Sequence, residues 1–392
     1  MPSHINIFLL MLSLLIAHLG AAAVLISWIY PRLRAPTFKY LSSRGLLIVA
    51  LLTVPLPVYA FLTQKPQIET FLVFGVWSLY GGAVIFLWII IILKLSLNYL
   101  RNGQKLQRLF WESPARKFLE AYKPSKESKG GAAFLLGRLY NNIYRPVIRE
   151  VILPVPGLPR PLSGFKILHV TDTHMGKRCG PDFYDAVLEE IQKIESHIVL
   201  HAGDIISMNE RSEYAARWLG DLGKRSQYGA YCVLGNHDLF LKASRLSNAL
   251  RKRGVRRLSH SWADLIFKTK RIILAGSESP WELGEEKETI SAGLSRGGAD
   301  LILGLAHEPA AAMRLLSAGA QVAFCGHTHG GQIRLGTMGP LIVTALHGGR
   351  YPHGLYGVAG GTLLVSGGLG SYIPPGRLGC PPEILLVTLC RG

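Results

Sequence analysis

The chain has 392 residues, 49% hydrophobic and 17% charged, with 43 lysines and arginines against 25 aspartates and glutamates. That composition excludes a disordered chain, and the length holds more than one compact unit. Five cysteines, all beyond residue 178, exclude a disulfide framework and fit a reducing compartment.

Three uncharged apolar runs open the chain, at 5–30, 46–62 and 71–93. A hydrocarbon core of ~30 Å needs about 20 helical residues, so the first and third read as membrane spans. The second is shorter and carries Pro55 and Pro57, which fits a kinked span or a re-entrant piece. No basic segment precedes the first run, so it reads as a span and not as a signal peptide. Arg32, Arg34, Lys39 and Arg44 follow the first run, and basic residues return in force after the third. The positive-inside rule then predicts a multi-pass inner or plasma membrane anchor over 1–98, with the N-terminus outside and the rest of the chain facing the cytoplasm.

Residues 99–147 read as a basic collar. Ala132, Leu135, Leu136, Leu139 and Ile143 recur at helical spacing, as an interfacial helix or a segment docked on the next domain would require. Residues 1–150 hold 17 basic and 5 acidic residues, two thirds of the net charge of +18. Basicity concentrated there favours anionic lipid headgroups as the partner and disfavours nucleic acid. The oligomeric state is left open.

From about residue 148 short β runs alternate with helical stretches, which predicts an α/β domain over 148–392. Lys166 to Thr171, His197 to Ala202, Tyr231 to Leu234, Leu301 to Ala306, Gln321 to Phe324 and Ile384 to Leu389 have strand length. Each of the first five ends in a polar cluster, where open α/β sheets place their sites. The clusters hold Asp172 and His174; Asp204; Asn236, His237 and Asp238; His307; and His327 and His329. Asp172 and His174 are two apart, as are His327 and His329, so in extended chain each pair points to one side. A lone cluster of this kind is no more than a turn or a satisfied core histidine. Five in succession at strand ends are not.

These five blocks resemble the calcineurin-like metallophosphoesterases in residue type, order and spacing. Gly349 to Leu355 and the segment Arg377 to Glu383 are similar to a membrane-associated branch that includes YkuE-type enzymes and UDP-2,3-diacylglucosamine pyrophosphatases. The resemblance implies a four-layer sandwich, two mixed β-sheets flanked by helices, with two divalent metal ions at one edge. It places Asp172, His174 and His329 on one ion, Asn236, His307 and His327 on the other, and Asp204 between them. Mixed nitrogen and oxygen donors suit Mn, Fe or Zn better than Mg. His237 would act on the phosphoryl group as general acid or charge stabiliser, with Asp238 either orienting it or capping the following helix. Lys177, Arg178, His347, Arg350 and His353 are candidates for substrate contact. His169, His197 and His201 fall within strand runs and read as core. The expected activity is metal-dependent hydrolysis of a phosphodiester or pyrophosphate, on a lipid-linked or small phosphate-containing substrate.

Overall fold

The computed structural model describes Phe86 and residues 116–119, 142–278, 298–334, 340, 343, 350–358, 360–371 and 376–392. The chain divides into two compact units, Met1–Gly103 and Gln104–Gly392. The apolar runs at 5–30, 46–62 and 71–93 (Phe86 apart), most of the collar and His347 lie outside the described residues. Among the described residues no helix is long and apolar enough to cross a membrane.

Thirteen strands and five α-helices are described. In chain order the strands are β1 (Arg116–Lys117), β2 (Val147–Val155), β3 (Lys166–Val170), β4 (Ile198–His201), β5 (Ala230–Cys232), β6 (Arg256–Arg257) and β7 (Trp262–Phe267), then β8 (Lys270–Ser277), β9 (Leu301–Ala306), β10 (Val322–Cys325), β11 (Gly354–Val358), β12 (Gly361–Val365) and β13 (Glu383–Arg391). The helices are α1 (Pro181–Ile191), α2 (Ser212–Gly223), α3 (Asn236–Phe240), α4 (Ala243–Lys252) and α5 (Pro309–Ser317).

The strands form two mixed sheets. One has the order β1-β2-β13-β3-β4-β5-β6, the other β11-β12-β10-β9-β8-β7. In the first, β3, β4, β5 and β6 run parallel and β13 pairs antiparallel to β3. In the second, β8, β9, β10 and β12 run parallel and the outer strands β7 and β11 are antiparallel. β1 shows that the first sheet begins upstream of residue 148, with Arg116 and Lys117 paired to β2.

The strand period of two sorts each run onto two faces. Ile167, Ile198, Leu200, Leu303, Leu305, Val322 and Phe324 meet in a core between the sheets. Leu168, Val170, Val199 and Cys232 face the other way, against the buried faces of α1, α2 and α4. Ala306, Ala323, Cys325, Leu363 and Val365 pack under α5. Helix, sheet, sheet and helix are therefore stacked in the four layers expected, with each large apolar side chain buried contributing about 1.5–3 kcal/mol. Ile143, the described member of the collar's helical repeat, is buried in the helix-side core. His169 and His201 are fully buried, and burial pushes their pKa values down to about 4 and about 3, as core histidines require.

Candidate active site

β3, β4, β5, β9 and β10 all end at one edge of the two sheets, and the polar clusters meet there. The loops after β3 and β4 stay paired beyond the strands: Asp172 N–H donates to Gly203 O at 3.0 Å and His174 N–H to Asp204 O at 2.9 Å. Nine described non-glycine residues have positive φ, and five of them are Asp172, His174, Asp204, His327 and His329. This corrects the extended geometry expected for the Asp172/His174 and His327/His329 pairs. Their side chains converge because each of these residues adopts a left-handed conformation, a cost of about 1–2 kcal/mol apiece that the surrounding contacts must offset.

Two ligand sets result. Asp172, His174, Asp204 and His329 each offer an atom within 4.8 Å of the others, and Asp204, His307 and His327 do the same. His174 Nε2 and His329 Nε2 face each other at 3.0 Å. Asp204 Oδ2 lies 3.4 Å from His174 Nε2 and 3.5 Å from His307 Nε2, one oxygen between two imidazoles. Asn236 Oδ1 is 3.1 Å from His307 Nε2, which brings the amide into the second set.

The surroundings fix these groups. Asp204 Oδ1 accepts from His237 N–H at 2.8 Å, and Asp172 Oδ2 accepts from His327 N–H and Thr171 Oγ1, both at 2.8 Å. His307 Nδ1 lies 2.7 Å from Ala202 O, so this nitrogen carries a proton, and His174 Nδ1 meets Ser207 Oγ at 3.1 Å. Such contacts set which ring nitrogen is left for a metal. Ser207 left no signal in the sequence.

Charge completes the argument. Burial alone would raise the Asp204 carboxyl, but the imidazoles of His307, His237 and His174 outweigh it and hold Asp204 well below the usual range. Burial pushes Asp172 up to about 6, with the Asp204 carboxylate adding to it against the pull of His307. His174 and His329 are driven well below 6.5, chiefly by burial. His307 rises to about 10 despite burial, because the Asp204 and Asp172 carboxylates hold its proton. Asp172 Oδ1 is buried without a hydrogen-bond partner. The neutral imidazoles of His174 and His329, the anionic Asp204 carboxylate and an orphaned carboxylate oxygen form a donor set that fits divalent cations.

The remaining candidates separate. His237 is half-buried with its ring edge-on to His174, centroids 4.9 Å apart, and burial lowers its pKa. The Asp238 carboxylate accepts from the backbone N–H groups of Gly235, Ile205 and Ile206 at 3.0–3.1 Å. These bonds cap the start of α3, one of the two roles expected for Asp238. Lys177 is exposed, whereas Arg178 is half-buried and close enough to depress the basicity of His174 and His237. Arg350 stacks on Tyr351, its guanidinium 5.4 Å from the ring centroid. Burial pushes the Cys179 thiol up to about 12, which leaves it inert at neutral pH.

His353, a candidate for substrate contact, places Nε2 2.8 Å from Glu383 Oε1. Glu383 is buried, and it also takes Gly367 N–H at 2.7 Å and Arg149 Nε at 2.9 Å. Burial would raise this carboxyl, yet His353, Arg149 and the Gly367 N–H hold it far below the usual range. A folded-state pKa below the unfolded value contributes stability that is present above about pH 4.3 and is lost as the pH falls further. Glu383→Gln should therefore cost about 3 kcal/mol at pH 7. Thermal melts of both proteins in detergent should show that gap narrowing below about pH 4.3, since only the native protein carries the term.

Arg377 opens the second of the two C-terminal segments that carry the branch resemblance, and the sequence assigns it no role. It is fully buried and donates through Nε and Nη2 to Gly370 O at 2.8 and 2.6 Å and through Nη2 to Gly367 O at 2.8 Å. Nη2 also lies 3.4 Å from His329 Nδ1, and Gly370 N–H donates to Asp172 O at 2.7 Å. One guanidinium thus braces a ligand ring and the loop under a second ligand. An ammonium cannot form this fork. Arg377→Lys should raise the Mn²⁺ concentration for half-maximal activity roughly 10–100-fold, which a metal titration would read.

The calcineurin-like phosphoesterase family model matches residues 165–331, a stretch that contains all seven candidate ligands. Over these residues the chain is similar to the calcineurin-like metallophosphoesterases. The chain is 29% identical over 269 residues to an uncharacterized metallophosphoesterase of Campylobacter jejuni, covering 66% of this chain and 67% of that one. It is 28% identical over 236 residues to the uncharacterized metallophosphoesterase YkuE of Bacillus subtilis, covering 59% and 81%. A Danio rerio transmembrane protein with metallophosphoesterase domain is 29% identical over 268 residues, covering 64% of this chain and 59% of that protein. The family match and the His/Asp cluster, which could hold metal ions, together support a phosphoesterase hydrolase.

Proposed function

We propose that this protein is a membrane-anchored phosphoesterase that hydrolyses a phosphodiester or pyrophosphate bond of a lipid-linked substrate, with UDP-2,3-diacylglucosamine as the specific candidate. The observation that carries the reaction class is Asp204 Oδ2, set 3.4 Å from His174 Nε2 and 3.5 Å from His307 Nε2 where the two ligand sets overlap. Asp172, His174 and His329 would hold one ion, Asn236, His307 and His327 the other, and Asp204 both. When bound, the two ions clamp phosphoryl oxygens and supply a water of lowered pKa as nucleophile.

The chain's own residues do the rest. Burial keeps the His237 imidazole neutral at pH 7, so it acts by donating a ring N–H to a phosphoryl oxygen rather than by giving up a proton. Arg178, beside His174 and His237, supplies positive charge for a substrate phosphate. Asp238 locks the turn that presents Asn236 and His237.

The lipid-linked substrate class rests on the apolar runs at 5–30, 46–62 and 71–93 and on the basic residues that follow them. The Danio rerio relative named as a transmembrane protein supports the same placement. The charge bias puts the catalytic domain on the cytoplasmic side. The test is UMP release from UDP-2,3-diacylglucosamine by the detergent-purified chain with Mn²⁺, run beside Asp204→Asn. Release by the native chain alone carries the proposal. Cleavage of bis-p-nitrophenyl phosphate without UMP release would retain the phosphoesterase and assign it a broader set of diesters.

A further inference from the structure

From Leu239 to Ala263 the chain has seven basic residues and no acidic one. The segment includes α4, whose Leu246, Ala249 and Leu250 are buried in the helix-side core. Ser244, Arg245, Asn248, Arg251 and Lys252 are the exposed or half-exposed positions on the opposite face, at the spacing of one helical stripe. Lys242, Arg253 and Arg256 extend it at both ends and are exposed. Among the described residues no carboxylate lies within ion-pair distance of Lys242, Arg245, Arg251, Lys252 or Arg253.

The stripe starts beside the active site. Lys242 is joined through Leu241 to Phe240, the last residue of α3, which itself begins at Asn236. The Phe240 ring is 43% exposed and lies 6.5 Å, centroid to centroid, from the ring of His237. Ile152, Ile266 and Leu378 are the other exposed large apolar side chains of this unit among the described residues, and Phe240 is the aromatic one. A solvated helix face ordinarily mixes both charge signs. This one is uniformly cationic, with an aromatic ring at the end nearest His237.

We propose that the α4 stripe, tipped by Phe240, docks on an anionic lipid surface and holds the active site at headgroup depth. An aromatic ring flanked by cations matches a lipid–water interface, where the ring enters the acyl boundary and the cations meet headgroup phosphates. A single-stranded nucleic acid would instead ask for several stacking rings along the cationic track. The proposal rests on the lipid-linked substrate reading and names the surface through which that substrate is approached.

The test uses the full chain reconstituted into vesicles of phosphatidylcholine with phosphatidylglycerol, or of phosphatidylcholine alone. Phe240→Trp supplies a reporter, read as difference fluorescence against the native chain. Brominated phosphatidylglycerol should quench the introduced tryptophan and brominated phosphatidylcholine alone should not. Each cation near an anionic surface contributes about a five-fold factor, so the triple variant Arg245→Ala, Arg251→Ala, Lys252→Ala should weaken docking about 100-fold and abolish the quenching. Its kcat/KM for bis-p-nitrophenyl phosphate should stay unchanged. Hydrogen exchange over residues 239–253 of the native chain, slowed by anionic vesicles only, gives the same result without a reporter. Quenching without hydrolysis of any lipid-linked diester would support the docking surface while sinking the substrate reading. Hydrolysis of a lipid-linked diester that the triple variant leaves intact, with no quenching and no slowed exchange, would overturn the docking surface alone. Tight binding of a single-stranded oligonucleotide, lost in the triple variant and unaccompanied by quenching, would also overturn it.

Discussion

Asp204→Asn is expected to reduce kcat/KM on bis-p-nitrophenyl phosphate roughly 10³-fold or more while leaving the fold in place. The substitution keeps an oxygen at the Oδ1 position, so His237 N–H retains its acceptor, 2.8 Å away in the native chain. What changes is Oδ2, which becomes an amide nitrogen facing His174 Nε2 and His307 Nε2. An amide there carries no negative charge, so the position common to both ligand sets no longer offers a cation an anionic oxygen. Losing a few kcal/mol of charge stabilisation corresponds to that thousand-fold factor. Elemental analysis should find less metal per chain than in the native protein, and the melting temperature should move by only a few degrees. Asp204→Ala should lose as much activity and more stability, since it also leaves the buried His237 N–H without an acceptor. Native activity in either variant would remove Asp204 from the reaction and with it the shared-ligand reading.

The fold and the polar clusters at the strand ends were legible for one physical reason: parallel strands are buried on both faces, so they read as short apolar runs, and their C-terminal ends are where polar residues must stand out. Lys166–Val170, Ile198–His201 and Val322–Cys325 lie within one or two residues of the runs that announce them. β7, an outer strand with alternating burial, has a weaker pattern that does not stand out from its surroundings. How the ligands converge was not legible, because the left-handed φ of Asp172 and His174 is imposed by backbone pairing with Gly203 and Asp204, some thirty residues away. The same holds for His353 and Asp238. Each sits beside candidate residues in the sequence, and its side chain also bonds distant partners, Glu383 in one case and the Ile205 and Ile206 backbone in the other. Proximity in sequence located the cluster. It could not divide ligands from braces.

Gly235→Ala should abolish activity although its backbone conformation suits any residue, with φ −92°. The reason is space. A Cβ there would stand 2.2 Å from Asp204 Oδ1, 2.4 Å from Asp204 N and 2.7 Å from His307 Cε1. Two of these contacts are with ligand side chains and one is with backbone, so relief requires moving the Asp204 loop or the β5 end that carries Asn236 and His237. Neither can move without breaking the His237 N–H to Asp204 contact. Overpacking of this kind costs about 1–3 kcal/mol in stability, and the displaced ligands should lower kcat/KM by roughly the same 10³-fold as loss of Asp204. Gly229→Ala is the matching control. Gly229 has φ +73°, and a methyl group at its Cβ position would meet nothing within 4 Å, so its substitution brings strain without collision. That variant should lose about 1–2 kcal/mol and keep full activity per folded molecule. Melting temperature and kcat/KM measured on both variants separate the two effects: a Gly235→Ala protein as active as Gly229→Ala would mean that the Asp204 loop and the β5 end yield to one another, and that the ligand cluster tolerates displacements the structure says it should not.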